Sequence, residues 1–397
     1  MMAVALSGRL SAIQEALQQE GLDGWLFFDH HLRDPLAYRV LGLPNHSPTR
    51  RWYYLIPASG EPRALVHRIE SGVLDALPGE KTIYSSWESQ TTGLAGLLNG
   101  SRRIAMQYSP QCSIPYVAMV DAGTIELVRN TGVQVVSSAN LIQLFEARWN
   151  SRQHQQHLEA GRRVDRIRGA AFDKIGESLR SNHPISEWDV NRFIRDTFTA
   201  SGLVTDHGPI VAVNSNMSDP HYEPTADRHR PINKGDAVLI DMWAKLDQEG
   251  AVYYDITWTG FCGSEIPARI QNIFEIVSGA RDAAVARVKD AIGAKRELRG
   301  FEVDDAARAH IRDRGYGENF VHRTGHSIGE EVHGTGANMD NLETHDDRRV
   351  IAGTCFSIEP GVYLDDFGIR AEVNVFVGEQ EAGTTGEVQR ELVRIPT

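Results

Sequence analysis

The chain alternates between short apolar runs and long amphipathic stretches, and this alternation predicts its secondary structure. Within residues 1–150, apolar runs that predict strands occur at 22–28, 51–57, 64–67, 103–106 and 133–136. Helical patterns at 7–20 and 94–98 fall among them. The runs at 51–57 and 64–67 flank a turn containing Gly and Pro, which predicts a hairpin. Strands that alternate with helices indicate an α/β domain of about 150 residues.

The pattern changes at residues 147–151, where we expect a domain boundary. A long amphipathic helix is predicted at 153–180, with His154 and His157 on its solvated opening turn. A second helix begins at Ser186, since Asp189 completes a capping box. The remaining predicted elements are strands at 209–213, 238–243, 252–258, 354–358 and 369–377, a helix at 264–292, and a helix capped by Asp304 that ends at 314.

Composition and charge narrow the functional classes. The 397 residues are 41% hydrophobic and carry a net charge of −12, which argues against nucleic acid or an anionic membrane as the main partner. The three cysteines are far apart and odd in number, as expected in a reducing compartment. Neither a signal peptide nor a membrane span is predicted, so we expect a cytoplasmic protein.

Residues 321–334 are unusually rich in histidine. His322, His326 and His333 lie in this stretch together with glycines that suit a tight loop. Imidazole is mainly useful as a metal ligand or as an acid and base, which makes the stretch a candidate site. A polar loop with surface histidines is the alternative interpretation.

Two aspartates lie in adjacent predicted strands. If 246–250 forms the turn, Asp241 and Asp255 lie directly opposite each other on one face. Two opposed carboxylates repel each other, so a cationic group is expected between them. One protonated aspartate, or a different register, would also remove the repulsion.

Two glutamates complete the candidate cluster. Glu359 ends a buried-looking strand before a Pro-Gly turn, and Glu372 interrupts an apolar strand in which Arg370 flanks it. Buried carboxylates need a partner, which a metal ion would supply. Four carboxylates and one imidazole suit two divalent ions better than one. An oxygen-rich set favours Mn²⁺, with Co²⁺, Zn²⁺ or Fe²⁺ as alternatives.

The order Asp241, Asp255, His326, Glu359 and Glu372 resembles the pita-bread metallopeptidases. That family includes methionine aminopeptidase, aminopeptidase P and prolidase, with creatinase as a metal-free relative. The motifs that match in order and spacing are 209–213 with His221-Tyr, 325–329, 359–363 and 369–372. The resemblance covers residues 155–397. It implies an α+β fold, with a pita-bread catalytic domain at 151–397 preceded by an α/β creatinase/prolidase-type domain at 1–150.

The resemblance also implies roles for the five ligands. Asp241 would bind one ion, Asp255 and Glu372 would bridge both ions, and His326 and Glu359 would bind the second. Glu359 would also be the general base.

Five further residues acquire expected roles from the same resemblance. His221 and His333 resemble the family's proton-handling and substrate-orienting histidines. His322, Tyr363 and Arg370 resemble residues that shape the substrate site and brace it, although a purely structural role for His322 is equally consistent with the sequence.

The sequence departs from the family pattern beside the site. The two aspartates are 14 residues apart, a longer interval than usual. The family often has glycine two residues after the first aspartate, where this chain has Trp243. In the loop before His221, 214–216 replace a glycine-containing sequence. These departures concern substrate specificity.

The resemblance implies hydrolysis of Xaa-Pro peptide bonds, most simply in dipeptides, by a prolidase-like homodimer. The substrate would be a small peptide with proline at P1′. Aminopeptidase P, which has the same chemistry on longer peptides, is the nearest alternative. A creatinase-like amidinohydrolase and a non-catalytic binding module are more remote alternatives.

Overall fold

The computed structural model describes residues 6–44 and 47–397. The chain divides into two compact units, Met1–Glu146 and Ala147–Thr397, called here the N-terminal unit and the C-terminal unit. Within the described ranges, no helix combines the length and the apolar character needed to cross a membrane.

The N-terminal unit is built on one mixed sheet. Its strands are β1 (Gly24–Asp29), β2 (Trp52–Pro57), β3 (Arg63–His67), β4 (Glu80–Tyr84), β5 (Arg103–Met106) and β6 (Gln134–Ser137). Its helices are α1 (Leu6–Gln19), α2 (Pro35–Leu41), α3 (Trp87–Leu97), α4 (Ala122–Arg129) and α5 (Ala139–Ile142). The strand order is β4-β3-β2-β1-β5-β6, and antiparallel pairing of β2 with β3 confirms the predicted hairpin.

The central strand β1 is buried on both faces. Trp25 and Phe27 belong to one apolar cluster, and Leu26 and Phe28 belong to another. This explains why the sequence of β1 is a continuous apolar run and not an alternating one.

The C-terminal unit combines long helices with three sheets. Its helices are α6 (Ser151–Arg180), α7 (Glu187–Ala200), α8 (Ala268–Gly293) and α9 (Gly300–Arg312). Its strands are β7 (Leu203–Val204), β8 (Ile210–Val213), β9 (Ala237–Leu246), β10 (Tyr254–Cys262), β11 (Ser327–Ile328), β12 (Cys355–Ile358), β13 (Gly361–Tyr363), β14 (Gly368–Arg370), β15 (Val373–Val377), β16 (Ala382–Thr385) and β17 (Val393–Ile395). One sheet has the order β17-β10-β9-β7 with β8 also paired to β9, a second has the order β11-β12-β15-β16, and β13 pairs with β14.

The capping box of α7 is confirmed. The Ser186 hydroxyl accepts a hydrogen bond from the Asp189 backbone N–H, and the Asp189 carboxylate accepts one from the Ser186 backbone N–H. The expected cap of α9 is wrong, because α9 begins at Gly300 after Arg299. Asp304 lies inside that helix, fully buried, and forms an ion pair with Arg308.

The predicted strand at 369–377 is also wrong as a single element. It is two strands in different sheets, because β14 pairs with β13 and β15 pairs with β12. The chain changes sheets at Ala371 and Glu372. Glu372 therefore lies at a junction between two sheets, where its side chain can meet groups from both.

The expected solvation of His157 is contradicted as well. Its side chain is fully buried. Its Nδ1 lies 2.7 Å from the Tyr253 carbonyl oxygen, and its Nε2 lies 2.7 Å from the Thr385 hydroxyl. Burial lowers the pKa of His157 to about 4. The ring is therefore neutral at pH 7 and ties α6 to segments far away in the sequence.

We expect His157 to make the protein sensitive to acid. An unfolded histidine takes up its proton near pH 6.5, whereas the buried ring does so only near pH 4. The unfolded state therefore binds more protons in this window, and the free energy of unfolding should fall by about 3 kcal/mol as the pH drops from about 6.5 to about 4. Urea unfolding between pH 7.5 and 4.5 measures this dependence.

The variant His157→Gln should be less stable at pH 7.5 but should lose part of this pH dependence. Replacement of His183, which is exposed on the same unit, by glutamine is the matched control and should retain the wild-type profile. Equal pH profiles for His157→Gln and the wild type would show that other groups cause the acid sensitivity.

Candidate metal centre

The five predicted ligands come from both large sheets of the C-terminal unit. Asp241 lies on β9 and Asp255 on β10, whereas His326 directly precedes β11. Glu359 directly follows β12, and Glu372 lies between β14 and β15. The structure thus brings to one place residues that are spread over 132 positions of the sequence, from 241 to 372.

Three of these residues form a compact buried cluster. Asp255, His326 and Glu372 offer ligand atoms that all lie within 4.8 Å of one another. His326 Nε2 lies 3.5 Å from Asp255 Oδ2 and 3.3 Å from Glu359 Oε1. Glu359 therefore adjoins the cluster through the same imidazole nitrogen.

The predicted register of the two aspartates is wrong by two residues. Asp241 lies opposite Thr257, and Asp255 lies opposite Trp243. Because the shift is even, both carboxylates remain on the same face of the sheet. They are diagonal neighbours, for which a separation of about 7–8 Å is typical. This wider spacing leaves more room between them than direct opposition would.

The reason for the different register is a long-range contact. The turn of the hairpin was predicted at 246–250, but residues 251–253 also lie outside the two paired strands. The Tyr253 N–H donates to the Gly329 carbonyl oxygen at 2.9 Å, and Val252 packs with Trp149 and Ile328. Leu246, which was predicted to begin the turn, instead ends β9 and pairs with Leu203 of β7.

Two buried carboxylate oxygens of this cluster have no hydrogen-bond partner among the described residues. They are Asp255 Oδ1 and Glu372 Oε1. The other oxygen of Glu372 accepts a hydrogen bond from the Thr257 hydroxyl at 2.9 Å. Burial raises the pKa of both carboxyls well above the ordinary value, and the negative charge of nearby Glu359 adds to both rises. The charge of Asp255 raises the pKa of Glu372 further.

Such a cluster is costly without a counter-charge, because buried ionised groups need pairing. Divalent cations would satisfy the two orphaned oxygens and relieve the repulsion between the carboxylates. The donor set, which is mostly carboxylate with one imidazole, fits hard or borderline divalent ions. The residues present therefore fit a metal centre.

Asp241 is tied to Arg370. The Arg370 guanidinium forms an ion pair with the Asp241 carboxylate, and its Nε donates to the Thr257 hydroxyl at 2.9 Å. Burial raises the pKa of Asp241 to about 7, and the charge of Arg370 opposes that rise. Arg370 Nη1 also donates to the Pro220 carbonyl oxygen at 3.0 Å, directly before His221. Arg370 thus fixes Asp241 relative to the loop that carries His221.

His322 and Tyr363 extend this network. Tyr363 accepts a hydrogen bond from Arg370 Nη1 at 3.3 Å, and its hydroxyl lies 2.7 Å from His322 Nε2. His322 Nδ1 lies 2.7 Å from the Arg323 carbonyl oxygen, an acceptor that requires the proton on Nδ1. Burial lowers the pKa of His322 to about 4, so the imidazole is neutral. Its free nitrogen accepts from Tyr363.

The structure places the two predicted proton-handling histidines at the surface. His221 is exposed, and its backbone N–H donates to Asp219. His333 is also exposed, and its ring meets the edge of the His326 ring with centroids 4.4 Å apart. His333 is therefore adjacent to the cluster. His221 is linked to it through Pro220 and Arg370.

Sequence reasoning missed three polar residues that support the cluster. The Ser357 hydroxyl donates to Glu359 Oε1 at 3.0 Å and accepts from the His326 N–H at 2.9 Å. Thr257 contacts both Arg370 and Glu372, and the Asn374 side chain binds the Asp255 backbone through both its oxygen and its nitrogen.

A signal for these residues was present in the sequence. Thr257, Ser357 and Asn374 each lie two residues from a predicted ligand within an apolar strand. Residues two apart point to the same face of a strand. Polar residues at this spacing from a ligand are therefore candidates for supporting roles.

Replacing His326 with alanine is expected to weaken metal binding. Because loss of a supporting residue alone costs metal sites about 10–100-fold in affinity, removal of a ligand should cost at least about 100-fold. The bound metal, measured by mass spectrometry after dialysis, should fall below the wild-type content. The exposed His333 provides the control variant His333→Ala, which should keep the wild-type stoichiometry. Unchanged metal content in His326→Ala would remove it from the ligand set.

Fold and site together define a class of protein. The C-terminal unit is an α+β structure whose sheets converge on buried carboxylates and an imidazole suited to divalent cations. The sequence model of Metallopeptidase family M24 matches residues 157–379. The chain belongs to this family, which confirms the resemblance inferred from the motifs.

Individual relatives agree with this assignment. The chain is 32% identical to a Xaa-Pro dipeptidase from Pyrococcus furiosus over 185 residues, which are 46% of this chain and 48% of that protein. It spans about half the length of that curated relative. It is also 25% identical over 347 residues to a probable dipeptidase PepE from Mycobacterium tuberculosis, covering 86% of this chain and 85% of that one.

A solved structure extends the likeness to the whole chain. The crystal structure of dipeptidase PepE from Mycobacterium ulcerans matches with a TM-score of 0.71 and 24% identity, and the match covers 100% of both chains. The expected pita-bread fold preceded by an N-terminal domain is thereby confirmed.

Proposed function

We propose that this protein is a metallopeptidase that uses two divalent ions to hydrolyse Xaa-Pro bonds, with dipeptides as its substrates. The observation that carries the proposal is the pair of orphaned oxygens, Asp255 Oδ1 and Glu372 Oε1, in the cluster with His326. Family membership supports peptide hydrolysis. The substrate is suggested by the Pyrococcus furiosus relative, which is a Xaa-Pro dipeptidase.

The proposed ligand assignments are those that the resemblance to the family implies. Asp241 would hold one ion, Asp255 and Glu372 would bridge the two, and His326 and Glu359 would hold the second. Manganese is the proposed metal, with cobalt, zinc or iron as alternatives, since these oxygen-rich donors suit a harder ion. When bound, two such ions acidify water and polarise the carbonyl group of the substrate.

The residues of the chain would handle the proton and the substrate. Glu359 would take a proton from the attacking water and pass it to the imide nitrogen of proline as the bond breaks. His333, beside His326, and His221 would orient the scissile carbonyl and stabilise the charge that develops on its oxygen. Neutral His322 and Tyr363 would brace Arg370, which holds Asp241.

We further propose that the active form is a cytoplasmic homodimer in which residues 1–150 form a domain that helps to close the catalytic site of the partner subunit. The free thiols of Cys112, Cys262 and Cys355 are consistent with a reducing compartment. The oligomeric state can be measured by light scattering.

The experiment compares three peptides: Ala-Pro, Ala-Pro-Ala and Ala-Ala. The protein is stripped with a chelator, assayed, reloaded with Mn²⁺ and assayed again. Cleavage of Ala-Pro that requires added metal, with neither other peptide cleaved, is the expected result. Preference for Ala-Pro-Ala would assign the protein as an aminopeptidase P, and efficient cleavage of Ala-Ala would contradict the proline requirement. No cleavage of any peptide by the metal-loaded protein would contradict the proposed function.

A further inference from the structure

We infer that Trp243 and Asp206 form the subsite for the N-terminal residue of the substrate. The indole limits the size of that residue's side chain, and the carboxylate binds its free ammonium group. The inference rests on the proposed function, because it assumes that a short peptide lies across the metal centre.

Trp243 is placed directly beside the predicted ligands. It lies opposite Asp255 in the sheet, and it is two residues from Asp241 on the same face of β9. Side chains of directly opposed residues have Cβ atoms about 4.5–5.5 Å apart. The large ring therefore occupies space at the edge of the metal centre, and it is partly exposed there.

The ring is held in a fixed position. It packs against the apolar residues around β9 and against those around Trp149. Its Nε1–H donates to Asp206 Oδ1 at 2.8 Å. Because both packing and a hydrogen bond fix the ring, it forms a rigid wall. A glycine at this position would leave that space open, whereas the indole fills it, so this chain should prefer N-terminal residues with small side chains.

Asp206 provides a negative charge at the same edge. Its side chain is 42% exposed, and its Oδ2 lies 3.1 Å from His207 Nδ1. Burial tends to raise its pKa, but the Trp243 donor and the charge of His207 lower it, so the group is a carboxylate. The indole whose N–H this carboxylate accepts lies opposite Asp255 in the sheet, which places Asp206 at the edge of the metal centre.

Two charged side chains from other segments lie beside β9 and give the site a positive end and a negative end. Arg370 is the cation beside Asp241, and Asp206 is the anion beside Trp243. Asp241 and Trp243, two residues apart on β9, are separated by about 7 Å, so the cation and the anion beside them lie at different points along the strand. A zwitterionic dipeptide would therefore be oriented with its ammonium group towards Asp206. This orientation places its N-terminal side chain next to the Trp243 ring.

The test measures binding separately from turnover. Ala-Pro, Phe-Pro and N-acetyl-Ala-Pro are titrated by calorimetry into Mn²⁺-loaded protein that carries Glu359→Gln, so that substrate remains intact. We expect Ala-Pro to bind at least about 10-fold more tightly than Phe-Pro, the effect of a steric mismatch in a rigid subsite. Trp243→Gly should remove this preference, whereas Trp243→Phe, which keeps most of the bulk, should retain it.

The carboxylate is tested in the same background. Asp206→Asn should weaken binding of Ala-Pro by about fivefold, as expected for a partly exposed ion pair, without changing the affinity for N-acetyl-Ala-Pro. Asp247→Asn, at an exposed position in the loop after β9, is the matched control and should leave every affinity unchanged. Thermal unfolding confirms that each variant is folded.

Other outcomes would overturn the inference. The first is a ratio of Ala-Pro to Phe-Pro affinity that is unchanged in Trp243→Gly. The second is an equal effect of Asp206→Asn on the free and the acetylated peptide. The third is that no peptide binds. The proposed function fails by a different result, the absence of hydrolysis by the metal-loaded wild-type protein. The two failures are therefore distinguishable.

Discussion

Replacing Glu359 with glutamine is expected to lower kcat for Ala-Pro by about 10²–10⁴-fold, the range associated with loss of a general acid-base group. Glutamine preserves the shape of the side chain and can still accept the hydrogen bond that Ser357 donates at 3.0 Å. It cannot accept a proton from water. The fold should therefore survive while the proton transfer is lost.

The position of Glu359 supports this role. Its side chain is 15% exposed, so it is accessible to water at the edge of the cluster. Burial tends to raise its pKa, but the nearby His326 and His322 rings and the Arg370 guanidinium outweigh burial and lower it. Glu359 is therefore ionised and ready to accept a proton at neutral pH.

Three measurements separate the possible causes of an activity loss in Glu359→Gln: kcat, metal content and thermal unfolding. Loss of kcat with both ions retained supports the role as base, whereas loss of metal together with activity would show that Glu359 acts mainly as a ligand. A kcat within threefold of wild type would eliminate it as the base. Glu331→Gln, at an exposed position in the loop that follows β11, is the matched control and should keep wild-type kcat.

The sequence correctly predicted the elements that are determined by residues close together in the chain. The helix α6 was predicted from one apolar stripe, and residues of that stripe such as Val164 and Ala171 are fully buried. The start of α7 was predicted from Ser186 and Asp189, which interact over three residues. Such patterns depend on neighbours within one or two turns of a helix, so a single sequence reveals them.

Errors occurred where distant residues decide the structure. The register of β9 and β10 depends on the contact of Tyr253 with Gly329, which no hairpin rule includes. His157 is buried because Thr385, 228 residues away in sequence, provides a partner for its ring. The helix pattern alone assigned that histidine to a polar face. Tertiary contacts therefore overrode both local expectations.

For the candidate metal centre too, the sequence predicted the residue types but not their long-range contacts. The sequence identified the ligand types, because carboxylates in apolar strands need compensation. The sequence did not reveal which contacts hold these carboxylates in place. Arg370 flanks Glu372 in the sequence, but its ion pair is with Asp241, 129 residues away. Which buried charged side chains form ion pairs depends on the tertiary structure, and the sequence pattern does not show it.

Glu187 is a buried carboxylate that the sequence did not single out. It is fully buried at the first turn of α7, where the helix dipole favours a negative charge. Its Oε1 accepts from the Val213 N–H at 2.7 Å and from Asn216 Nδ2 at 2.9 Å. Its Oε2 accepts from the Tyr222 hydroxyl at 2.7 Å and the Arg230 N–H at 2.6 Å. One side chain thus anchors most of the segment that carries His221.

Replacing Glu187 with alanine is therefore expected to lower the free energy of unfolding by about 3–5 kcal/mol, because four donors, two of them buried, would lose their acceptor. Loosening the segment around His221 should also raise KM for Ala-Pro. Urea unfolding and steady-state kinetics measure the two effects. Glu177→Ala, on the exposed face of α6, is the matched control and should change stability by less than about 0.5 kcal/mol. A loss below about 1 kcal/mol in Glu187→Ala would mean that water replaces the carboxylate, and that the segment does not depend on this anchor.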